Sequence, residues 1–366
     1  MVKDSMTPRE RWLAAIRMEP VDRLPFWPKI FGGYPRAQKA PFCDMEIPAI
    51  HAWIGSDNHI SLPPCYKEVR TKTSVETVTE GHVRRTTYRT PHGCLEAVDN
   101  FDVPSQSWHP VVFPVKRPAD IQLMTEIYAD CRVELDETRL AEAKSYVDKI
   151  GNSASHWSVI GESPLMHWVE YEAGIENAHF FLADYRADVE ALFATHHRVL
   201  LRRAEIMADK SPADLLYMIE NTSTTLISPE QYHRYCLPHI TAYGQIVRQA
   251  GRLLILHMCG HLKALLPILA TLPAAAFEAF TSPTLGNTTL LDGRMACPDK
   301  ALVGGTNATL WTRPAEEIIA QLAEDLDPLP HHRGLVITSA GVMPPLAAPE
   351  TIKAVADWVR AYPARM

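Results

Sequence analysis

The hexapeptide Leu256-His257-Met258-Cys259-Gly260-His261 ends an apolar run at a glycine and sets an imidazole and a thiol two residues apart. In an extended strand such residues project from one side of the chain, so His257 and Cys259 are expected to converge on one atom. A metal ion suits that pair of donors. A catalytic zinc needs about three protein ligands and leaves one position open, so one of Glu278, Glu220 or Glu162 would complete the set. His261 is expected in the turn that follows. The plain alternative is a buried histidine hydrogen-bonded to backbone beside an inert thiol. Glu220 and Glu278 each follow directly on an apolar run, LLYMI and AAAF, where an unpaired carboxylate is expensive. For each glutamate the alternative is a salt-bridged or solvated side chain.

Those residues need a frame to bring them together. From about residue 118 the chain alternates helix-length segments with short apolar runs that end in polar loops: 155–161, 213–219, 252–260, 274–280, 300–306 and 333–341. Between them lie amphipathic stretches such as 229–249, opened by Ser228, Pro229 and Gln231. Another is 349–361, with Ile352, Val355, Ala356 and Val359 on one face. Such alternation predicts an α/β fold with parallel strands. Six runs, a seventh near 53–62 and an eighth without a clear place suit a (β/α)8 TIM barrel better than an open sheet. No GxGxxG follows an early strand to suggest dinucleotide binding. In a barrel the residues at the C-terminal strand ends share one cavity. Those residues are Glu162, Glu220, Asn221, His257, Cys259, Glu278, Asn307 and Ser339.

Before the repeating part, Thr7-Pro8-Arg9-Glu10 supplies a cap hydroxyl, a first-turn proline and a capping-box glutamate, predicting a helix from about 8 to 18. Residues 20–48, with PFWPKIFGGYPR, read as irregular chain packed on the body. Residues 66–100 are rich in Thr and Val with approximate alternation and read as an inserted hairpin or small meander. The whole of 1–366 is read as one domain. The pairs His196-His197 and His331-His332 are expected on the surface.

Composition narrows the function. The 366 residues are 46% hydrophobic and 22% charged, ordinary for a globular protein. The formal charge of −7 offers no general attraction for nucleic acid or anionic membranes. No stretch approaches the roughly 18 to 20 apolar residues that span a bilayer, and MVKDSMTPRERW lacks a signal-peptide core, so a cytoplasmic location is expected. The 7 cysteines form no repeated CxxC and are expected to be mostly small buried side chains.

Taken in order, several segments resemble the uroporphyrinogen decarboxylase superfamily, and within it the branch of zinc- and corrinoid-dependent methyltransferases. They are TPRERWLAAI with VDRLPF, RTPHGCL at 89–95, FPVKRPADIQLM at 113–124, LISPEQYHRYCLPHI at 226–240, LHMCGH, VGGTNAT at 303–309 and SAGVMPP with APETIKAV. The resemblance implies a TIM barrel. Porphyrin decarboxylases carry an N-terminal arginine-rich segment like FMRQAGRY that gathers substrate carboxylates. The corresponding region here is PFWPKIFGGYPR, and RQAG at 248–251 lies far downstream. The methyltransferase branch shares the TPxGxL hairpin and the H-x-C whose donors ligate zinc, corresponding to His257 and Cys259. Its third ligand is a last-loop cysteine, and that place falls on Gly341 here. Either a carboxylate, Glu278 first, completes the site, or the metal is weak or absent.

The resemblance thus implies methyl transfer between a small methylated substrate and a corrinoid (cobalamin) on a partner protein, assisted by zinc on His257, Cys259 and Glu278. Tetrahydrofolate is a further acceptor to consider. Glu220 is expected to move a proton and Asn221 to orient substrate, with Glu162, Asn307 and Ser339 contacting it. Two other readings stand beside this one: a decarboxylase or lyase acting on a non-porphyrin acid, and a non-catalytic ligand-binding barrel.

Overall fold

Eight short apolar segments become the parallel strands of a barrel: β1 Phe26–Trp27, β2 Asn58–Ser61, β3 Ala154–Gly161, β4 Leu215–Ile219, β5 Leu253–His257, β6 Ala276–Phe280, β7 Ala301–Gly305 and β8 Leu335–Thr338. The structure is a computed structural model and describes residues 4–103 and 105–366. Hydrogen bonding runs in the order β1-β8-β7-β6-β5-β4-β3-β2. The two ends of that series meet at Asp57, whose N–H donates to the Phe26 carbonyl at 2.7 Å and whose carboxylate accepts from the Phe26 N–H at 3.0 Å.

Strands buried on both faces read as continuous apolar runs, which is why β3 to β8 were visible in sequence. Their residues alternate all the same. Leu215, Tyr217, Ile255, Ala276, Ala301, Val303 and Val336 fill the barrel, whereas Leu216, Met218, Leu254, Leu256, Phe277, Leu302 and Leu335 pack under the surrounding helices. The helix Pro8–Ile16, with the expected capping box, sends Trp12 into the interior group, edge-on to Trp27 at 5.5 Å and stacked on His59 at 4.2 Å. It closes the end at which the strands begin.

The segment read as irregular at 20–48 contains β1 and short helices, so the missing eighth strand lies there. The insertion is a four-stranded antiparallel meander, Ser74–Glu80, Val83–Thr90, Gly93–Asp102 and Ser107–Val112, and so reaches beyond 100. Tyr66–Val69 belongs elsewhere, pairing with Arg132–Leu135. The meander leaves the C-terminal end of β2 and packs on the helix Pro118–Ala129. No helix among the described residues is long and apolar enough to cross a membrane.

The histidine pairs expected on the surface are corrected by packing. His196 is buried and stacks on Tyr128 at 4.2 Å, because the helix Arg186–Lys210 lies against Pro118–Ala129. His332 is buried too: its Nδ1 accepts from the Arg365 N–H at 2.7 Å and its Nε2 donates to the Leu326 carbonyl at 3.1 Å.

Candidate active site

Strand register determines what meets at the barrel mouth. His257, last residue of β5, pairs directly with Glu278 of β6, so their side chains stand together on the interior face. The imidazole Nδ1 contacts Glu278 Oε2. The other carboxylate oxygen, Oε1, accepts from Lys29 Nζ at 2.8 Å. Lys29 follows β1, with a backbone φ of 51°, and its ammonium also lies 5.6 Å from the Trp27 ring centre. Glu278 and Lys29 are both buried. Burial alone would raise the Glu278 pKa, but Lys29 and His257 outweigh it and hold the carboxylate at about 2. Burial opposes the charged form of His257 as well, yet Glu278 raises its pKa above the ordinary value.

Cys259 is exposed just beyond β5, and its Sγ lies 3.5 Å from Asn221 Oδ1. Asn221, with φ of 42°, follows β4 and is held by its own N–H donating to the His257 carbonyl at 3.0 Å. Its Nδ2 donates to Glu170 Oε2 at 2.8 Å. Glu170 sits in the π-helical turn Trp168–Glu172 after β3, a local widening found often at functional sites. Its Oε1 is buried without a protein partner. Burial pushes its pKa to about 7 against the Asn221 hydrogen bond, with help from the nearby Glu162 charge. Glu170 also lines a cleft of about 460 Å³ between the meander and the barrel, walled by Trp108, Phe113, Tyr171, Ile175 and Leu226.

Gly260 lets the Cys259 loop lie against the residues after β4. A Cβ there would meet the Ser223 side chain and come within 2.7 Å of the Thr222 carbonyl oxygen. Gly260→Ala is therefore expected to lower stability by about 1–3 kcal/mol, read from the urea unfolding midpoint.

The remaining expected residues divide. Glu220 is fully buried and accepts from the Ser163 N–H at 2.7 Å and the Ser163 hydroxyl at 2.6 Å, so it ties β3's loop to β4. Glu162 faces His167, with Oε2 3.3 Å from Nδ1, and not the His257 cluster. Asn307 is a cap: Oδ1 accepts from the Leu310 N–H and Nδ2 donates to the Pro283 carbonyl at 2.7 Å. Ser339 is buried, its hydroxyl 2.6 Å from the Gly341 carbonyl oxygen. Asn307 and Ser339 stand at strand ends as expected but turn their polar atoms into the loops.

The sequence profile described as uroporphyrinogen decarboxylase (URO-D) matches residues 109–362. The chain belongs to the uroporphyrinogen decarboxylase family. No curated protein matches it in sequence. Among solved structures it is similar to a methyltransferase from Methanosarcina mazei, at 16% identity and a TM-score of 0.63, covering 98% of this chain and 99% of that one. A candidate vitamin-B12 independent methionine synthase from Listeria monocytogenes matches more distantly, at 13% identity and a TM-score of 0.38, over 60% of this chain and 66% of the other. The family is one of enzymes, and the barrel is its fold.

Within that family the zinc set named from sequence was His257, Cys259 and Glu278. The structure brings the three to one mouth, but both oxygens of Glu278 are engaged, by Lys29 and by His257. Among the described residues no group of three or more His, Cys, Asp or Glu side chains is placed to hold a metal ion. The arrangement does not fit a metal, because an ammonium already neutralises the carboxylate that would complete it.

Sequence reasoning missed Lys29 and Glu170. Lys29 follows a strand of two residues, too short to show periodicity. Glu170 follows the apolar LMHWV run of the β3 loop, and that run was the available signal.

Glu220 carries a stability signature. Burial raises its pKa from 4.5 to about 8, so the folded chain keeps a proton that the unfolded chain has lost. Its contribution is full below the unfolded value and is lost as pH rises from 4.5 through about 8, at roughly 1.4 kcal/mol per pH unit. Glu170 adds the same sign up to about 7. Glu220→Gln is expected to flatten the fall in unfolding free energy between pH 5.5 and 8, measured in urea; an unchanged slope would remove the assignment.

Proposed function

We propose that this member of the family is a methyltransferase. It takes a methyl group from a small oxygen, sulfur or nitrogen donor and passes it to the corrinoid of a partner protein. The observation that carries this reading is the Glu170–Asn221–Cys259 chain, which joins the cleft to the Lys29–Glu278–His257 cluster at an open barrel mouth. Likeness along nearly the whole chain to a protein described as a methyltransferase supports it. Exposed apolar side chains on connections leaving the strands' C-terminal ends, Leu285, Val342, Leu346 and Phe180, suit a partner that covers the mouth.

When bound, the reduced corrinoid supplies the nucleophile that accepts the methyl group. The bond from methyl carbon to donor atom breaks, and its electron pair stays on the donor atom, which then needs a proton. Glu170, poised at about 7 with Oε1 unpartnered, delivers that proton from the cleft side. Asn221 fixes the carboxyl by donating to its other oxygen. Aromatic walls at Trp108, Phe113 and Tyr171 would give the donor an apolar surface beside Glu170.

Decarboxylation of a small acid is the second reading, favoured by His257, whose pKa Glu278 raises against burial so that the imidazolium would deliver the proton that replaces carbon dioxide. A porphyrin's several carboxylates find no comparable set of cations in PFWPKIFGGYPR, where Arg36 is exposed. The deciding experiment mixes the chain with cob(I)alamin and a panel of methoxylated, methylthiolated and methylamine donors. Methylation is followed by the cobalt absorbance change. No change with any donor, with carbon dioxide released from a small acid, would transfer the assignment to the second reading; neither signal would leave a binding barrel.

A further inference from the structure

We propose that Lys29 is the resident cation of this barrel mouth: its ammonium supplies at Glu278 the positive charge that a divalent metal would, and it keeps zinc out. The inference is independent of the reaction proposed above, since it concerns only what balances Glu278.

The position of Lys29 is set by the fold. β1 pairs with β8 through Phe26 with Ile337 and Trp27 with Thr338, which carries the chain at Lys29 alongside the last loop. There the Lys29 carbonyl accepts from the Met343 N–H at 3.2 Å, and its ammonium approaches the Ala340 carbonyl oxygen at 3.5 Å. A left-handed backbone at a non-glycine residue persists only where its surroundings fix it, and these contacts do so. From that anchor the side chain crosses the interior to Glu278 Oε1 at 2.8 Å.

Charge counting then decides between two cations. A zinc on His257, a Cys259 thiolate and the Glu278 carboxylate would have its two positive charges matched by two negative ligands. The buried ammonium would lose Glu278, its one carboxylate partner among the described residues, and face the metal as a like charge. With the ammonium in place, one lysine and one carboxylate balance each other, and no further anion is needed. The last loop offers no alternative donor to tip the balance. Residues 339–348, SAGVMPPLAA, contain no His, Cys, Asp or Glu, and the Ser339 hydroxyl is turned to the Gly341 carbonyl oxygen. The same loop supplies the carbonyl that receives Lys29, so the lysine fills the space on that side of Glu278.

The test measures zinc on the full-length chain without a histidine tag, produced in zinc-supplemented medium and passed through gel filtration. Wild type is expected to carry substoichiometric zinc and to show no tight isotherm when zinc chloride is titrated calorimetrically. Lys29→Met, which keeps an unbranched side chain one atom shorter and removes its charge, is expected to bind one zinc at least about tenfold more tightly. That zinc should disappear when Cys259→Ser is added. Lys29→Gln, with circular dichroism to confirm folding, serves if the methionine variant does not fold. Wild type holding one zinc per chain that His257→Ala or Cys259→Ser removes would overturn the proposal. So would folded Lys29 variants that bind zinc no better than wild type.

Discussion

Glu170→Gln is expected to reduce kcat for methyl transfer by about 10²- to 10⁴-fold while leaving thermal unfolding close to that of wild type. The reasoning begins with shape. A glutamine side chain keeps an oxygen to accept from Asn221 Nδ2, which meets Glu170 Oε2 at 2.8 Å, so the positioning survives. Only the proton is lost. Wild-type kcat is expected to fall as pH rises through about 7, because burial sets the Glu170 pKa there and the acid form disappears above it. The glutamine variant has no such group and should show a flat profile in the same range. The cobalt absorbance assay reads both quantities. A variant with wild-type kcat would take the acid role away from Glu170. KM is expected to change little, since glutamine keeps the carboxyl's shape and the aromatic walls of the cleft are untouched.

The parts of this molecule that were legible in sequence are those built from local patterns. β3 to β8 showed as apolar runs because parallel strands are covered on both faces. That His257 and Glu278 share one mouth was expected from barrel strands ending there, whereas their direct pairing is set by the register between β5 and β6. The helix Pro8–Ile16 was announced by its own capping box. What escaped depends on contacts distant along the chain. Phe26–Trp27 has no periodicity of its own and is a strand because Ile337, Thr338 and Asp57 receive it. Lys29 therefore lay in a segment read as irregular, although it supplies the charge nearest Glu278. Glu170 was passed over because the side-chain direction in a π-helical turn follows from packing, not from spacing. Glu220 drew notice for the right reason, a carboxyl directly after an apolar run. The structure spends both its oxygens on Ser163 rather than on the cavity.

The barrel's closure rests on one carboxylate, and Asp57→Ala is expected to destabilise the fold by about 3–5 kcal/mol. Asp57 is fully buried between two buried arginines. Arg11 Nη1 approaches it at 2.5 Å and Arg23 Nη1 at 2.8 Å, while Asp22 and Asp4 take up the other guanidinium nitrogens. This explains why TPRERW and VDRLPF occur together: Arg11 comes from the first, Asp22 and Arg23 from the second, and Asp57 joins them before β2. The alanine variant leaves both guanidiniums short of a buried counter-charge and the Phe26 N–H without its acceptor. Loss is expected to exceed that of Gly260→Ala, which removes no charge partner. Urea unfolding at neutral pH measures both, and a difference below about 1 kcal/mol for Asp57→Ala would place the closure elsewhere. β1 leads through Pro28 into Lys29, so weakening this junction is also expected to loosen the ammonium at Glu278.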